Sequence, residues 1–323
     1  MKILLTLIGT IVVVNALSTK QQWENFKRNH NKSYAHVLEE NYRLSVFRLN
    51  LKKIEEHNAR YQKGEVSYYM GVTKFADLTA VEFMSMLNKQ ISTKPNIQGI
   101  LAQLSDDPIP DSFDWRGSGA VLEVKDQGSC GSCWSFSVTG ALEGLNFLAN
   151  NVTLPLSEQE LVDCTALYGN AGCNGGNMQY GFKYVKSKGI SSEAAYPYAG
   201  VDESCRRNAS NIVFKIKGFQ TVSKDDDSLR RAIATVGPIS IAMQATENLQ
   251  LYKGGVLGDP SCSNWVGAIN HGVLAVGYGQ ENDQHYWIVK NSWGTSWGEE
   301  GFFRIQRHPT TCCITCDASF PTV

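Results

Sequence analysis

Gln127-Gly128-Ser129-Cys130-Gly131-Ser132-Cys133-Trp134-Ser135-Phe136 is the stretch from which the rest of the chain is read. Just beyond it, Val138, Ala141, Leu142, Leu145 and Leu148 recur at helical spacing until Asn150-Asn151 stops the pattern, so a helix is expected to begin at Cys133. A thiol at a helix N-terminus faces unpaired backbone N–H groups and the positive end of the dipole, and both favour thiolate over thiol. Cys133 is placed to ionise. The same residues spell a Cys-x-x-Cys arrangement, Cys130-Gly131-Ser132-Cys133, which also admits a redox protein. That rival requires a βαβ context, which the flanking sequence lacks, and it leaves His271 and Asn291 without a role.

A nucleophilic thiolate needs a cationic partner, and a departing amine needs a proton; one imidazole supplies both. Three histidines follow Cys133: His271, His285 and His308. His271 stands in Asn270-His271-Gly272 at the head of the apolar run 273–276, a rigid strand-like mount, whereas His285 follows the polar turn 280–284 and His308 sits between Arg307 and Pro309. His271 is therefore the candidate base and acid. Its ring needs an acceptor on the second nitrogen to fix one tautomer. Asn291, in Asn291-Ser292-Trp293-Gly294, offers a neutral amide oxygen beside Trp293 and Trp297, which exclude water. For the oxyanion of a tetrahedral intermediate the candidate donors are the backbone N–H of Cys133 and the side-chain amide of Gln127.

Organisation is read from the flanks. With 323 residues the chain accommodates two domains with cores, or one domain and a removable segment. Met1-Lys2, an apolar run over residues 3–14 and then Val14-Asn15-Ala16 predict a secretory signal, residues 1–16, too short in its apolar part for the roughly 20 residues of a membrane span. Leu44, Phe47, Leu51 and Ile54 make one face of an amphipathic helix within residues 19–58; residues 68–78 turn strand-like, and residues 88–110 read as a linker carrying Pro95, Pro108 and Pro110. A second helix is expected after Ser223, whose hydroxyl would cap the acidic turn 225–227. From Gly237 onward short apolar strands are predicted over residues 239–243, 272–277, 286–289 and 301–305. The larger part thus reads as a helical half succeeded by a β half.

Charge and cysteines narrow the classes further. Thirty basic and 31 acidic residues give a net charge of -1, without the basic footprint of a nucleic-acid binder. A secreted chain places its nine cysteines, all between Cys130 and Cys316, where disulfides persist, and the odd count leaves at least one thiol free or paired with another chain. A zinc module on Cys312, Cys313 and Cys316 lacks a second ligand cluster at proper spacing, and no metal or cofactor is called for. Three sequons, at Asn31, Asn151 and Asn208, suit glycosylated loops.

These residues together resemble the papain-like cysteine proteases, the cathepsin L branch in particular, over nearly the whole chain. The Cys-Gly-Ser-Cys-Trp string is a local mark of that family, and the separations of His271 and Asn291 from Cys133 fall near its range of roughly 130–150 residues. Glu39, Arg43, Phe47, Asn50, Ile54 and Asn58 match the interspersed helix motif of that branch's inhibitory propeptide; Gly71, Thr73, Phe75 and Asp77 match its second motif, with Thr73 where the family usually has Asn. The resemblance implies an α+β, two-domain papain-like fold, with a helical left domain and an antiparallel, β-barrel-like right domain, preceded by a mainly helical propeptide that lies backwards through the cleft and is released in acid. It implies a propeptide over residues 17–108 and a mature peptidase over residues 109–323, with Asp114-Trp115-Arg116 near the mature start.

The resemblance also implies the pairings Cys130 with Cys173, Cys164 with Cys205 and Cys262 with Cys312, leaving Cys133 as thiol. Cys313 and Cys316 are surplus to that pattern. They pair with each other only across a local turn, since residues three apart on a strand face opposite sides, and exchange among Cys312, Cys313 and Cys316 stays open. By the same resemblance Gly175 and Gly176 let substrate backbone approach, Trp293 belongs to the substrate-binding set, and Asn177, Met178, Ala242, Ile269 and Gly272 line the pocket for the second residue before the cut (P2). Asp317 would be its floor, where cathepsin L usually has a small apolar residue and relatives with an acid accept Arg. The expected activity is that of a cysteine endopeptidase made as an acid-activated zymogen, in the lysosome or an extracellular or digestive lumen. A catalytically inactive papain-like binding protein is the alternative. The expected partners are polypeptide substrates, the chain's own propeptide and cystatin-like inhibitors, with no nucleic acid, no membrane span and a monomeric state.

Overall fold

The computed structural model describes residues 18–87 and 99–323. The expected signal segment and residues 88–98 of the expected linker lie outside the described residues. The N-terminal part opens with α1 (Thr19–Asn29), started by a capping box between Ser18 and Gln21, and α2 (Val37–Gln62). One face of α2 carries Phe47, Asn50, Ile54 and Asn58, which fasten neighbouring segments to the helix. Phe47 packs against Trp23 and Phe26 with ring centroids 5.2 and 5.0 Å apart. Asn50 Nδ2 donates to the carbonyls of Ala76 and Leu78 at 2.8 and 2.9 Å, and the Asn58 amide both donates to and accepts from the backbone of Met70. Arg43 pairs with Glu82 at 2.9 Å. The polar residues of the helix motif therefore satisfy the backbone of a segment that has little regular structure of its own.

That segment contains β1 (Tyr68–Met70) and α3 (Ala80–Ser85), capped by Thr79. The strand expected over residues 68–78 stops at Met70. Beyond it the backbone turns, with Asp77 accepting from Lys32 Nζ at 2.9 Å and Tyr34 Oη at 2.8 Å. The stretch read as a linker is not featureless either: β2 (Ile100–Leu101) adds to a sheet, and Arg231 Nη1 donates to the carbonyls of Ser105 and Asp107 at 3.1 and 2.9 Å.

After β3 (Phe113–Asp114) comes α4 (Cys133–Asn150), the helix read from the sequence, closed by Asn151 in the left-handed region at φ 53°. Twelve of its 18 residues are buried, so it is a central helix and not a surface one. Beside it lie α5 (Glu158–Cys164) and α6 (Met178–Lys188), capped by Ser157 and Asn177, and the small pair β4 (Ile190–Ser191) and β5 (Ile212–Phe214). The β half comes next, with β6 (Gly218–Thr221), α7 (Asp226–Thr235), β7 (Ile239–Met243), α8 (Glu247–Gln250), β8 (Tyr252–Leu257), β9 (His271–Glu281), β10 (Gln284–Lys290), β11 (Phe302–Gln306) and β12 (Asp317–Thr322). The cap of α7 is Asp225 and not Ser223: Asp225 Oδ1 accepts from Ser228 N at 2.8 Å, three residues on, which is the reach of a cap.

Strands are ordered β1-β8-β11-β10-β9-β7-β12-β6-β2, with β3 on β9. The papain-like α+β fold is present, and its barrel-like half is realised as an open path of strands with two parallel contacts, β8 with β11 and β2 with β6. Both ends of the path, β1 and β2, come from the N-terminal segment. Its apolar residues share one continuous core with the β half, in which Trp23, Phe47, Phe75 and Phe83 join Trp293, Trp297 and Phe303. The helical half has its own core around Trp134, Leu142, Met178 and Phe182. Among the described residues no helix is long and apolar enough to cross a membrane.

Candidate active site

The two halves meet where the first turn of α4 abuts the first residues of β9. Gly272 permits the approach: a Cβ there would lie 3.0 Å from Trp134 Cα. Its backbone N–H reaches Cys133 Sγ at 3.3 Å, so the sulfur and the preceding residue, His271, belong to one site. Cys133 and His271 are both fully buried.

His271 Nε2 lies 2.9 Å from Asn291 Oδ1. The same oxygen accepts from Ser292 N at 2.9 Å, which fixes the amide's orientation and makes it an acceptor toward the ring. Nε2 therefore carries the proton, and Nδ1, which is buried and has no hydrogen-bond partner among the described residues, is left for proton exchange. Trp293 stacks on the imidazole with centroids 4.9 Å apart, and Phe75 and Phe83 of the N-terminal segment pack edge-on against Trp293 at 5.3 and 5.4 Å. Burial pushes His271 down to about 4, against a smaller upward pull from the Asn291 hydrogen bond.

Gln127 is held from three sides. Its N–H donates to Ser292 O at 2.8 Å, Oε1 accepts from Ser292 Oγ at 2.6 Å, and Nε2 donates to Cys130 O at 2.8 Å. A second amide hydrogen remains on the same nitrogen for a bound oxygen. Cys130 is joined to Cys173, and Gly131 passes so close that a Cβ would lie 2.4 Å from Cys173 O. The other disulfides are Cys164–Cys205, Cys262–Cys312 and Cys313–Cys316, the last across a turn in which Cys316 N donates to Cys313 O at 2.9 Å. Cys133 keeps its thiol.

Of the P2-pocket residues, Gly272, Ala242 and Asp317 form one row across β9, β7 and β12, each opposite the next in register. Met178 borders the row, its Sδ 3.3 Å from where a Gly272 Cβ would be, and Asn177 caps the same helix start. Ile269 is buried just before the site, and Gly175 turns the chain at φ 117° beside Gly176, where a Cβ would meet the Trp134 ring at 2.7 Å. Asp317 accepts from Gln179 Nε2 at 3.1 Å, and burial pushes its carboxyl up while that donor pulls it down. Gln179 and Ser292 were not singled out from the sequence. Each is a neighbour of a residue that was, and nothing in a glutamine or serine alone marks such a role.

Comparison with known proteins places these features. The model of the papain family cysteine proteases matches residues 109–322, and that of the cathepsin propeptide inhibitor domain matches residues 23–83. A cathepsin L-like proteinase of Phaedon cochleariae is 42% identical over 99% of both chains, and cathepsin L of Sarcophaga peregrina is 42% identical over the same shares. Among solved structures, digestive procathepsin L 3 of Tenebrio molitor larval midgut superposes with a TM-score of 0.89 at 43% identity, covering 95% of this chain and 100% of that one.

Proposed function

The chain belongs to the papain family of cysteine proteases, and from that premise we propose how its residues divide the work of hydrolysis. It is a cathepsin L-like cysteine endopeptidase made with an inhibitory propeptide; the inactive binding protein has no support. In the proposed cycle the Cys133 thiolate attacks the scissile carbonyl, and the oxyanion accepts from Cys133 N and Gln127 Nε2. His271 Nδ1 gives its proton to the leaving amine, the thioester remains on Cys133, and His271 then takes a proton from the water that releases the acid. Asn291 keeps the ring in the tautomer this requires. The reading rests on the His271–Asn291 contact, which commits Nε2 and leaves Nδ1, buried and without a hydrogen-bond partner among the described residues, as the nitrogen for proton transfer. Titration with an epoxide thiol trap tests it: one equivalent should label Cys133 alone, with complete loss of activity, and labelling elsewhere overturns it.

We assign residues 1–16 to the signal, 17–108 to the propeptide and 109–323 to the peptidase, with N-terminal sequencing of acid-activated material as the check. We further take the protein as a monomer open to cystatin-like inhibitors and delivered through the secretory pathway to the lysosome or a digestive lumen; only the digestive destination has a counterpart in its relatives' names, the digestive cysteine proteinases of Homarus americanus. All three sequon asparagines are exposed, as glycosylation there requires.

Acid release is traced to His271. The precursor holds the imidazole near 4, below its ordinary value of 6.5, with the propeptide's Phe75 and Phe83 on the tryptophan that covers it. If release returns the ring toward that ordinary value, the docked state binds fewer protons between those limits than the released state, and docking weakens as pH falls through that window. In a Cys133→Ala precursor, opening of β1 by corrected amide exchange should become easier by up to about tenfold per pH unit, and His271→Ala should remove one proton's share of that slope. Equal slopes with and without His271 would overturn this account.

Asp317 supplies specificity in this reading. A protonated carboxyl leaves the pocket suited to Leu or Phe at P2, and an ionised one adds Arg. Asp317→Ala should abolish any rise with pH in the ratio of Arg-Arg to Phe-Arg dipeptide cleavage; an unchanged ratio removes the idea.

A further inference from the structure

Asp317 does not stand alone: two features hold it from opposite sides. From one side the Gln179 amide, at the start of α6, donates to Oδ1 at 3.1 Å. From the other, the disulfide Cys313–Cys316 closes a turn that ends on the residue immediately before Asp317. Cys313 is buried and Cys316 partly exposed, and Cys313 N donates to Asn264 Oδ1 at 3.0 Å, tying the turn to the loop that leads to Ile269 and His271. Cys312 and Cys313 sit consecutively in the left-handed region at φ 56° and 58°, a conformation that non-glycine residues keep only where their surroundings over-determine it. Cys262–Cys312 fixes the first of them to the neighbouring loop, and Cys313–Cys316 fixes the second across its own turn. Ile314, inside that turn, is fully buried, so the loop is anchored inward as well as crosslinked. From the turn β12 starts directly, placing Asp317 opposite Ala242 and in line with Gly272.

We infer that the Cys313–Cys316 disulfide and Gln179 are positioning residues for Asp317, and that together they determine how strongly the peptidase accepts a basic residue at P2. The inference rests on the proposed role of Asp317 and deepens it. The crosslink fixes where the strand begins and hence the position of the carboxyl. The amide donor occupies Oδ1, favours the charged form of the group, and leaves Oδ2 for a guanidinium. A disulfide that served only stability would leave P2 selectivity untouched when removed, and so would a glutamine that merely filled space.

The test uses the full-length precursor activated in acid, with active enzyme counted by epoxide titration. The readout is the ratio of kcat/KM for fluorogenic Arg-Arg and Phe-Arg dipeptides across pH. Cys313→Ser with Cys316→Ser, which removes both sulfurs and strands no thiol, should move that ratio at least threefold toward the Asp317→Ala value while Phe-Arg cleavage stays within twofold of wild type. Gln179→Leu should shift the pH midpoint of the ratio upward, and Gln179→Asn should restore part of the shift. If Asp317→Ala changes the ratio but neither the disulfide variant nor Gln179→Leu does, the positioning role is wrong and the Asp317 reading survives. If Asp317→Ala itself changes nothing, the underlying reading fails. Should the disulfide variant yield no titratable enzyme, the midpoint of Gln179→Leu decides alone.

Discussion

Peptidase activity is expected to fall by roughly a millionfold in kcat when Cys133 is replaced by Ala, the scale of loss seen when a covalent nucleophile is removed from a hydrolase. Ser at this position should do little better. The helix terminus and the imidazole favour an anion on a thiol of ordinary pKa about 8.5, and a hydroxyl lies far beyond that help. His271→Ala should fall to a similar floor, because the same ring is proposed to stabilise the thiolate and to protonate the leaving amine. The double variant should lose almost nothing more than either single one, since groups that act as a unit are not additive. Folding should survive, because Ala removes only the sulfur and leaves the helix start and the close approach of Gly272 to Trp134 in place. The precursor should therefore accumulate uncut, with an unchanged circular dichroism spectrum. A Cys133→Ala enzyme within tenfold of wild type, or losses that multiply in the double variant, would require a different nucleophile.

How much of this was legible depends on how locally each feature is determined. Cys133 at the head of α4 and His271 at the head of β9 could be read because each opens a run of periodic apolar residues, and the runs gave both residues rigid mounts. The sheet order could not be read, since pairings such as β8 with β11 join residues some fifty apart, as at Arg304 with Val256, and no local pattern records a partner. The same holds for the two edge strands contributed by the N-terminal segment. The helix α5 escaped because five of its seven residues, Glu158 to Val162, are buried and three of those five are polar, so no apolar stripe alternates with a polar face. Least legible was the charge cluster behind α4, where Lys125 pairs with Glu143 at 3.0 Å and Glu158 at 2.7 Å. A sequence shows three charged residues there, each of which is usually solvated; only the packing of α4 on α5 makes them a buried group. The Asp225 cap of α7 was missed by two residues for a simpler reason: several capping residues lie in one run, and geometry chooses between them.

The N-terminal segment and the site meet at Trp293. It lies on the His271 ring on one face and takes Phe75, Phe83 and Trp297 edge-on, so a single side chain joins the proposed catalytic base, the propeptide and the core of the β half. The N-terminal segment is thus bound through the enzyme's own aromatic core. Thr73 adds to this hold. Its hydroxyl donates to Gln250 O at 2.7 Å, while Gln250 Nε2 donates back to the carbonyls of Phe75 and Leu78. A threonine in the place usually held by asparagine therefore still supplies a donor to the peptidase at that point.

Gln127→Ala is expected to lower kcat by about 10²–10³, or roughly 3 kcal/mol of transition-state stabilisation, with KM nearly unchanged. The argument turns on preorganisation. Ser292 Oγ holds Oε1 and Cys130 O takes one Nε2 hydrogen, so the second hydrogen is aimed before substrate arrives and needs no reorganisation when negative charge develops. A ground-state carbonyl carries little charge and gains little from that donor, which is why the loss should fall on kcat. Glu at the same position should be worse than Ala, because it replaces the donor with an anion beside the forming oxyanion and sets a like charge near the thiolate. Labelling of Cys133 by an epoxide trap should persist in both variants, which separates loss of the donor from loss of the nucleophile. A Gln127→Ala enzyme whose defect is confined to KM would mean that this amide binds substrate and does not stabilise its transition state.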